Sequence, residues 1–276
     1  MTRRDWLAAS SGALLSGTLT VLLLGLLVML LWQAANVLSP AFLWQAPQQA
    51  GLAGGIGSIL VSTLLIMAVC LAVVIPAGLG CAIFISEQLD RQRPLARALG
   101  FSLDVLAATP SIVFALFGYQ FFADTLGLGF SIAAGGLTLA CMALPLMVRG
   151  SEQALRGVPA DYRQAGAALA LSHSGMLWRV LLPQARSGIA AAIILSLGRA
   201  LAETAVLLFT AGYVMRMPGS LLDSGRTLSV HIYDLAMHVP GGGSHAAASA
   251  VVLIGLIVML NALVHRLLRP GDRHDS

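Results

Sequence analysis

The segment RGSEQALRGVPADYRQAGAALALSHSGMLWRVLLPQARS, residues 149–187, lies between two strongly apolar stretches and closes on Val180-Leu181-Leu182-Pro183. It carries Arg149, Arg156, Arg163, Arg179 and Arg186 against only Glu152 and Asp161. A polar segment of this length can fold into short helices and dock a soluble partner. Pro159 suits the first turn of a helix from about Ala160 to Ala170, where a missing N–H is harmless. Ser172 or Ser174 can cap a second short helix, Gly175 to Leu182, ended by Pro183. Leu169, Leu171, Met176 and Trp178 would then be apolar knobs within a rim of arginines. The pattern alone leaves two readings open: a docking element, or an amphipathic hairpin lying on lipid headgroups.

Outward from this loop the chain is membrane material. It is 58% hydrophobic and 10% charged, with a mean hydropathy of +0.86. A soluble domain cannot hide that much apolar surface, so the class is an all-α polytopic membrane protein. From Trp6 through Ser86 there is no charge. One span needs about 20 residues, so this stretch holds two, separated by the Asn, Gln, Pro and Gly of Gln33–Gly57. Hydropathy predicts six helices at roughly 11–33, 58–85, 101–123, 128–148, 188–212 and 246–266. Pro76, Pro110 and Pro145 fall in or near these spans, where kinks facing protein are expected.

Loop charge orients the set. With the N-terminus inside, thirteen arginines are cytoplasmic: Arg3, Arg4, Arg91, Arg93, Arg97, the five of the loop, Arg266, Arg269 and Arg273. Arg216 and Arg226 remain outside, and Arg199 lies within a span. The positive-inside rule therefore makes both termini and the loop cytoplasmic. These anchors explain the pI near 9.4 better than nucleic-acid binding does. The start, Thr2-Arg3-Arg4-Asp5-Trp6-Leu7, is similar to a twin-arginine signal, but its apolar run has full-span length and reads as an uncleaved first helix.

All 16 basic residues are arginine. A nucleotide-binding P-loop needs a lysine on the terminal phosphates, so no Walker A motif exists here. If ATP drives this protein, a separate subunit binds it, and the chain itself needs no cofactor. Lysine-nucleophile chemistry is excluded likewise. Cys70, Cys81 and Cys141 lie in apolar runs without metal-ligand spacing and read as core residues.

Arg199 and Glu203 stand in the fifth span, where an ionisable group costs at least a few kcal/mol and a functional role is the default. Four residues apart on a helix, they share a face and can pair. A packing role is the alternative, but leucines would pack there at lower desolvation cost. A guanidinium matches a tetrahedral oxyanion bidentately, and Glu203 would stop it holding the anion too tightly. The pair is therefore the candidate translocation-path site. Asp104 reads as interfacial. His231, His238 and His245, with no acid or cysteine at ligand spacing, read as solvated loop residues.

Four motifs carry a resemblance: Gly54-Gly55-Ile56-Gly57, Thr109-Pro110-Ser111-Ile112-Val113-Phe114-Ala115-Leu116-Phe117-Gly118, Gly198-Arg199-Ala200-Leu201-Ala202-Glu203-Thr204 and Thr227-Leu228-Ser229-Val230-His231-Ile232-Tyr233. From about Gly54 to the last helix, the chain resembles the PstA-type permeases of phosphate ABC importers. The resemblance implies a MetI-like permease core at 58–268, preceded by a helix and outer loop at 1–57 and followed by a cytoplasmic tail at 269–276. It also implies a paralogous permease partner, two ATPase subunits and an extracytoplasmic phosphate-binding protein in a bacterial inner membrane.

The loop is similar to that family's ATPase-coupling loop, in the pattern Glu-Ala-Ala, three residues, Gly, nine residues, Ile-x-Leu-Pro. The register sets Gln164-Ala165-Gly166, then Ala170, then Val180-Leu181-Leu182-Pro183 on that pattern, with Gln for Glu, Gly for the second Ala and Ala for Gly. Coupling is thereby assigned to Gln164, Ala165, Gly166, Ala170, Leu171, Met176, Leu182 and Pro183. If the family's glycine turns left-handed, Ala170 there is strained by roughly 1 kcal/mol. Another oxyanion such as phosphite or a phosphonate, a secondary transporter and a phosphate-signalling scaffold are the competing functions.

Overall fold

In the computed structural model, residues 3–90 and 92–268 are described, with side chains from Leu14 onward. Arg91 and the expected tail 269–276, with Arg269 and Arg273, lie outside the described residues. The chain begins with α1 (Arg3–Ala34) and a short α2 (Pro40–Trp44), then a minimal hairpin of β1 (Pro47–Gln48) and β2 (Ala53–Gly54). There follow α3 (Gly57–Ile83), α4 (Pro94–Ala108), α5 (Ser111–Gly118), α6 (Ile132–Arg156), α7 (Ala160–Ala168), α8 (His173–Met176), α9 (Leu182–Ala202), α10 (Ala205–Thr210), α11 (Leu228–Met237) and α12 (Gly243–Leu268). Wide π turns extend α3 through Phe84–Gln88 and α5 through Tyr119–Thr125, and another at Leu177–Leu181 joins α8 to α9.

Among the described residues, five helical stretches are long and apolar enough to cross a bilayer, or six if one bent pair counts as a single span. That pair corrects the expected single helix at 101–123: α4 and the Ser111–Thr125 segment meet at 98°. The cause is Pro110, which has no N–H to donate and forces the preceding Thr109 into extended backbone, φ −68° and ψ 130°. Pro76 and Pro145, by contrast, sit inside unbroken α3 and α6. Pro145 is buried as expected, whereas Pro76 and Pro110 lie on the surface of this chain.

The fifth span departs further. Its helix starts at His173 rather than near residue 188 and runs to Ala202. Pro183 does not end the second loop helix; it lies in the first turn of α9. A proline ring collides with the carbonyl four residues back, and the wide turn at Leu177–Leu181 moves that carbonyl aside, so the helix passes through. The same span stops early, at Glu203, and resumes as α10.

The core is the stack α3–α6–α9. Apolar burial drives helices together weakly when lipid is equally apolar, so close backbone approach matters more. Glycines supply it. A Cβ on Gly136 would lie 2.6 Å from Val69 of α3, and one on Gly150 would lie 2.6 Å from Ala192 of α9. Ile59, Ile66, Leu139, Met147 and Leu197 fill the seams and are fully buried. α1 is different: it packs on α12, and its apolar side chains from Leu14 to Trp32 are almost all exposed.

These packing relations give the bundle two ends. One carries α7 and α8 with the ends of α3 and α6; the other carries the β hairpin, the 211–227 connection and α11. Replacing Gly136 by Leu should force α3 and α6 apart and lower stability by about 1–3 kcal/mol. A fall in the thermal unfolding midpoint of the detergent-solubilised protein is the measurement, and an unchanged midpoint would contradict this packing.

Candidate functional site

α9 delivers Arg199 in its last turn, and the chain then leaves helical geometry at Glu203, φ −75° and ψ 133°. Glu203 therefore lies beyond the helix and does not share a helix face with Arg199, contrary to what the spacing of four predicts. The two residues still meet: Arg199 Nη2 lies 4.0 Å from Glu203 Oε1. That is an ion pair without a hydrogen bond, since N–H···O bonds have N···O distances near 2.9 Å. The Arg199 side chain is 42% exposed and that of Glu203 15%. Arg199 makes no hydrogen bond among the described residues, so its five N–H donors remain available on the chain's surface.

A helix that stops in an apolar bundle leaves carbonyls in want of donors. Here Ser229 Oγ of α11 donates to the Glu203 carbonyl at 2.7 Å. The Thr227 and Ser229 hydroxyls lie 3.0 Å apart, and Thr63 Oγ1 of α3 accepts from Leu228 N at 3.0 Å. The cavity between Thr63, Thr227, Ser229 and Ala200 has a volume of about 10 Å³, at most what one water needs. That space is too small for an anion, and the Arg199 side chain beside it is exposed on this chain. Sequence reading missed Thr63 and Ser229; the one available signal was the Thr227–Tyr233 motif, quoted for likeness without a role.

The outer connection is also tighter than its composition suggests. Arg226, expected as an outer loop charge, is 4% exposed. It bonds Asp234 at 2.9 Å and lies 4.0 Å over the Tyr213 ring. Tyr213 donates its hydroxyl proton to Asp234 at 2.5 Å. His231 is 1% exposed rather than solvated. It lies in α11, outside the spans, and burial together with the Arg226 charge pushes its imidazole down to about 4, so it is neutral at physiological pH. His238 is exposed and 3.4 Å from Asp234. Among the described residues no metal-ligand cluster forms.

The loop folds as α7, a turn, and α8 capped by Ser172, whose Oγ accepts from Gly175 N. The expected first helix is present, from Ala160 to Ala168. Gln164, Ala165, Ala170 and Pro183 are exposed, Gly166 is buried, and Leu171, Met176 and Leu182 are half-buried. A Cβ on Gly166 would collide with Met176, so this glycine gives that side chain its space. Exposed Leu169, Trp178 and Tyr162 form the outward apolar surface. Three of the five arginines turn inward instead of rimming it. Arg149 bonds Asp104 at 2.6 Å and Glu152 at 3.3 Å; Arg156 pairs with Glu152 at 3.0 Å; Arg163 holds Glu87. Arg179 and Arg186 have no ion pair among the described residues.

Comparison with known proteins bears on this arrangement. Residues 74–270 match the family model described as the binding-protein-dependent transport system inner membrane component. The chain is 29% identical over 93% of its length to a probable ABC transporter permease protein, YqgI, of Bacillus subtilis, covering 92% of that protein. It is 33% identical over 76% of its length to the phosphate transport system permease protein PstA of Mycobacterium leprae, covering 69% of it. A longer PstA homolog of Mycoplasma pneumoniae is 36% identical, and the chain spans 28% of its length. In fold, the chain is similar to a bacterial alginate ABC transporter solved with an alginate pentasaccharide-bound periplasmic protein. The TM-score is 0.69, over 97% of this chain and 95% of that one, at 12% identity.

Ala170 has φ +50°, the left-handed geometry that the family's glycine anticipates. Ala170→Gly should relieve this and stabilise the protein by up to about 1 kcal/mol. A raised unfolding midpoint is the expected reading, and a lowered one would show that the turn is not strained.

Proposed function

We propose that this chain, which belongs to the binding-protein-dependent transport system inner membrane component family, carries inorganic phosphate as one of two related permease subunits of an ATP-binding-cassette importer. One observation carries the substrate reading. Arg199 stands half-exposed where a membrane span breaks, held by Glu203 at 4.0 Å and making no hydrogen bond among the described residues. A guanidinium so placed can offer a bidentate pair of N–H groups to a tetrahedral oxyanion. A carboxylate at that distance lowers the net attraction without occupying the donors, which suits a site that must release what it binds. Relatives named as phosphate permeases point to the same anion.

The rest of the assembly follows from what the chain lacks and exposes. With no lysine it holds no P-loop, so ATP is bound and hydrolysed by two separate subunits and this chain is not itself an enzyme. The exposed apolar surface of Leu169, Trp178 and Tyr162, with Gln164, Ala165 and Ala170 beside it, suits docking to those ATPases. Gly166, Leu171 and Met176 hold α7 against α8 behind that surface. Positive charge on the loop end makes that end, and both termini, cytoplasmic. The α11 end is then extracytoplasmic and meets a phosphate-binding protein. Because Arg199 is half-exposed and the cavity beside Ala200 holds at most one water, the passage runs between this chain and a paralogous permease. The permease core of this chain is residues 58–268, with residues 1–57 added in front.

Arg199→Gln keeps a polar side chain but shortens it and removes the charge. In the reconstituted assembly it should reduce ATP-driven uptake of radiolabelled phosphate to background, while the subunits still copurify. Wild-type uptake by the variant would refute the role of Arg199, and wild-type accumulation that unlabelled phosphate fails to compete would refute phosphate as the anion.

A further inference from the structure

Glu87 is the first charged residue after the uncharged stretch Trp6–Ser86, and the translocation reading leaves it without a task. It lies in the π turn Phe84–Gln88 that extends α3. Its side chain is 4% exposed, an unusual degree of burial for a carboxylate. Both oxygens are taken by one residue of the loop: Arg163 Nη1 donates to Oε2 at 2.5 Å and Nη2 to Oε1 at 3.0 Å. This is the bidentate geometry that fixes orientation as well as distance. Arg163 also donates to the Leu155 carbonyl at 3.3 Å, and Arg156 Nη2 donates to the Ile85 carbonyl at 3.0 Å. The end of α3 is thus gripped by two loop arginines, and α7 is held to α3 by the first of them.

The other end of α3 reaches the helix break. Thr63 Oγ1 accepts from Leu228 N, and the next residue, Ser229, bonds the Glu203 carbonyl. A continuous helix therefore runs from the residue that holds α7 to the residue that supports α11 beneath Glu203. A charge pair buried on one side is costly to disrupt, so α7 and the end of α3 should move as one body.

We propose that Glu87 is a positioning residue that ties the docking helix α7 to α3, so that movement of the loop reaches the Glu203 break through α3 as well as through α9. This rests on the proposed importer function. Glu87 touches neither anion nor nucleotide; it acts through Arg163.

The test uses the full assembly in proteoliposomes. With Glu87→Gln, phosphate transported per ATP hydrolysed should fall about tenfold, within the usual range of coupling energies, while hydrolysis continues and the subunits copurify. The charge-swapped pair Glu87→Arg with Arg163→Glu should recover most of that ratio. A purely structural residue would give loss of assembly and hydrolysis together, and the swap would restore both together. A wild-type ratio in Glu87→Gln overturns the proposal, and so does a swap no better than the single variant.

A second reading is independent of the anion. Spin labels at Ala168 and Asp90, in a background lacking the three native cysteines, report the distance between α7 and the end of α3. Adding ATP and vanadate should leave that distance fixed with Glu87 present and broaden it in Glu87→Gln. If both proteins respond alike, the tether is refuted. If wild type takes up no phosphate but the label distances behave as stated, the anion assignment fails and the tether stands.

Discussion

Backbone hydrogen bonding in an apolar surrounding governs this molecule. Where no water can compensate, every carbonyl released by a helix end must find a donor within the protein. Most of the chain meets that demand by not ending its helices at all. Pro76 and Pro145 are carried inside α3 and α6, and Pro183 is accommodated by a wide turn. The exceptions are consequently informative. At Thr109–Pro110 the missing N–H makes the break unavoidable. At Glu203 no proline or glycine imposes one, and the Ser229 hydroxyl of α11, 26 residues away, satisfies the Glu203 carbonyl at the break. The candidate site is therefore built jointly by α9, α11 and α3, with Thr63 supporting the strand of contacts from below.

This explains which parts were legible in the sequence. Spans are recorded in composition, and the existence of six was readable, as was the helix opened by Pro159 and the cap at Ser172. Breaks are recorded only when a residue type forces them. Pro110 announced a kink, though not its angle of 98°. Glu203 announced nothing, because its break depends on a partner distant in sequence. Pro183 misled for the converse reason, since local π geometry cancels its usual effect.

Charge was legible in kind and side but not in use. Five arginines in one loop suggested an outward rim, yet Arg149, Arg156 and Arg163 bind Asp104, Glu152 and Glu87, carboxylates that the fold gathers around them. His231 likewise looked like a loop residue among regularly spaced histidines, and became buried because α11 packs between α3 and α12. The structure accounts for two of the loop's own departures. Ala170 does occupy a left-handed turn, and Gly166 supplies the gap into which Met176 fits. The signature's small-residue positions are conformational and steric requirements, one of which this chain meets and the other of which it tolerates.

The continuity of α8 and α9 has a further consequence. From His173 to Ala202 the helix has 30 residues, about 45 Å at 1.5 Å per residue. One end lies beside the exposed Trp178 and the other carries Arg199. A tilt of about 5° applied at the loop displaces the far tip by roughly 4 Å over that length. That displacement is as large as the separation between Arg199 and Glu203 itself. Tilt at the loop would therefore carry Arg199 and the adjoining Glu203 together past α11, whose Ser229 holds the Glu203 carbonyl. The wide turn at Leu177–Leu181, near the loop end, would set how much of the tilt is transmitted.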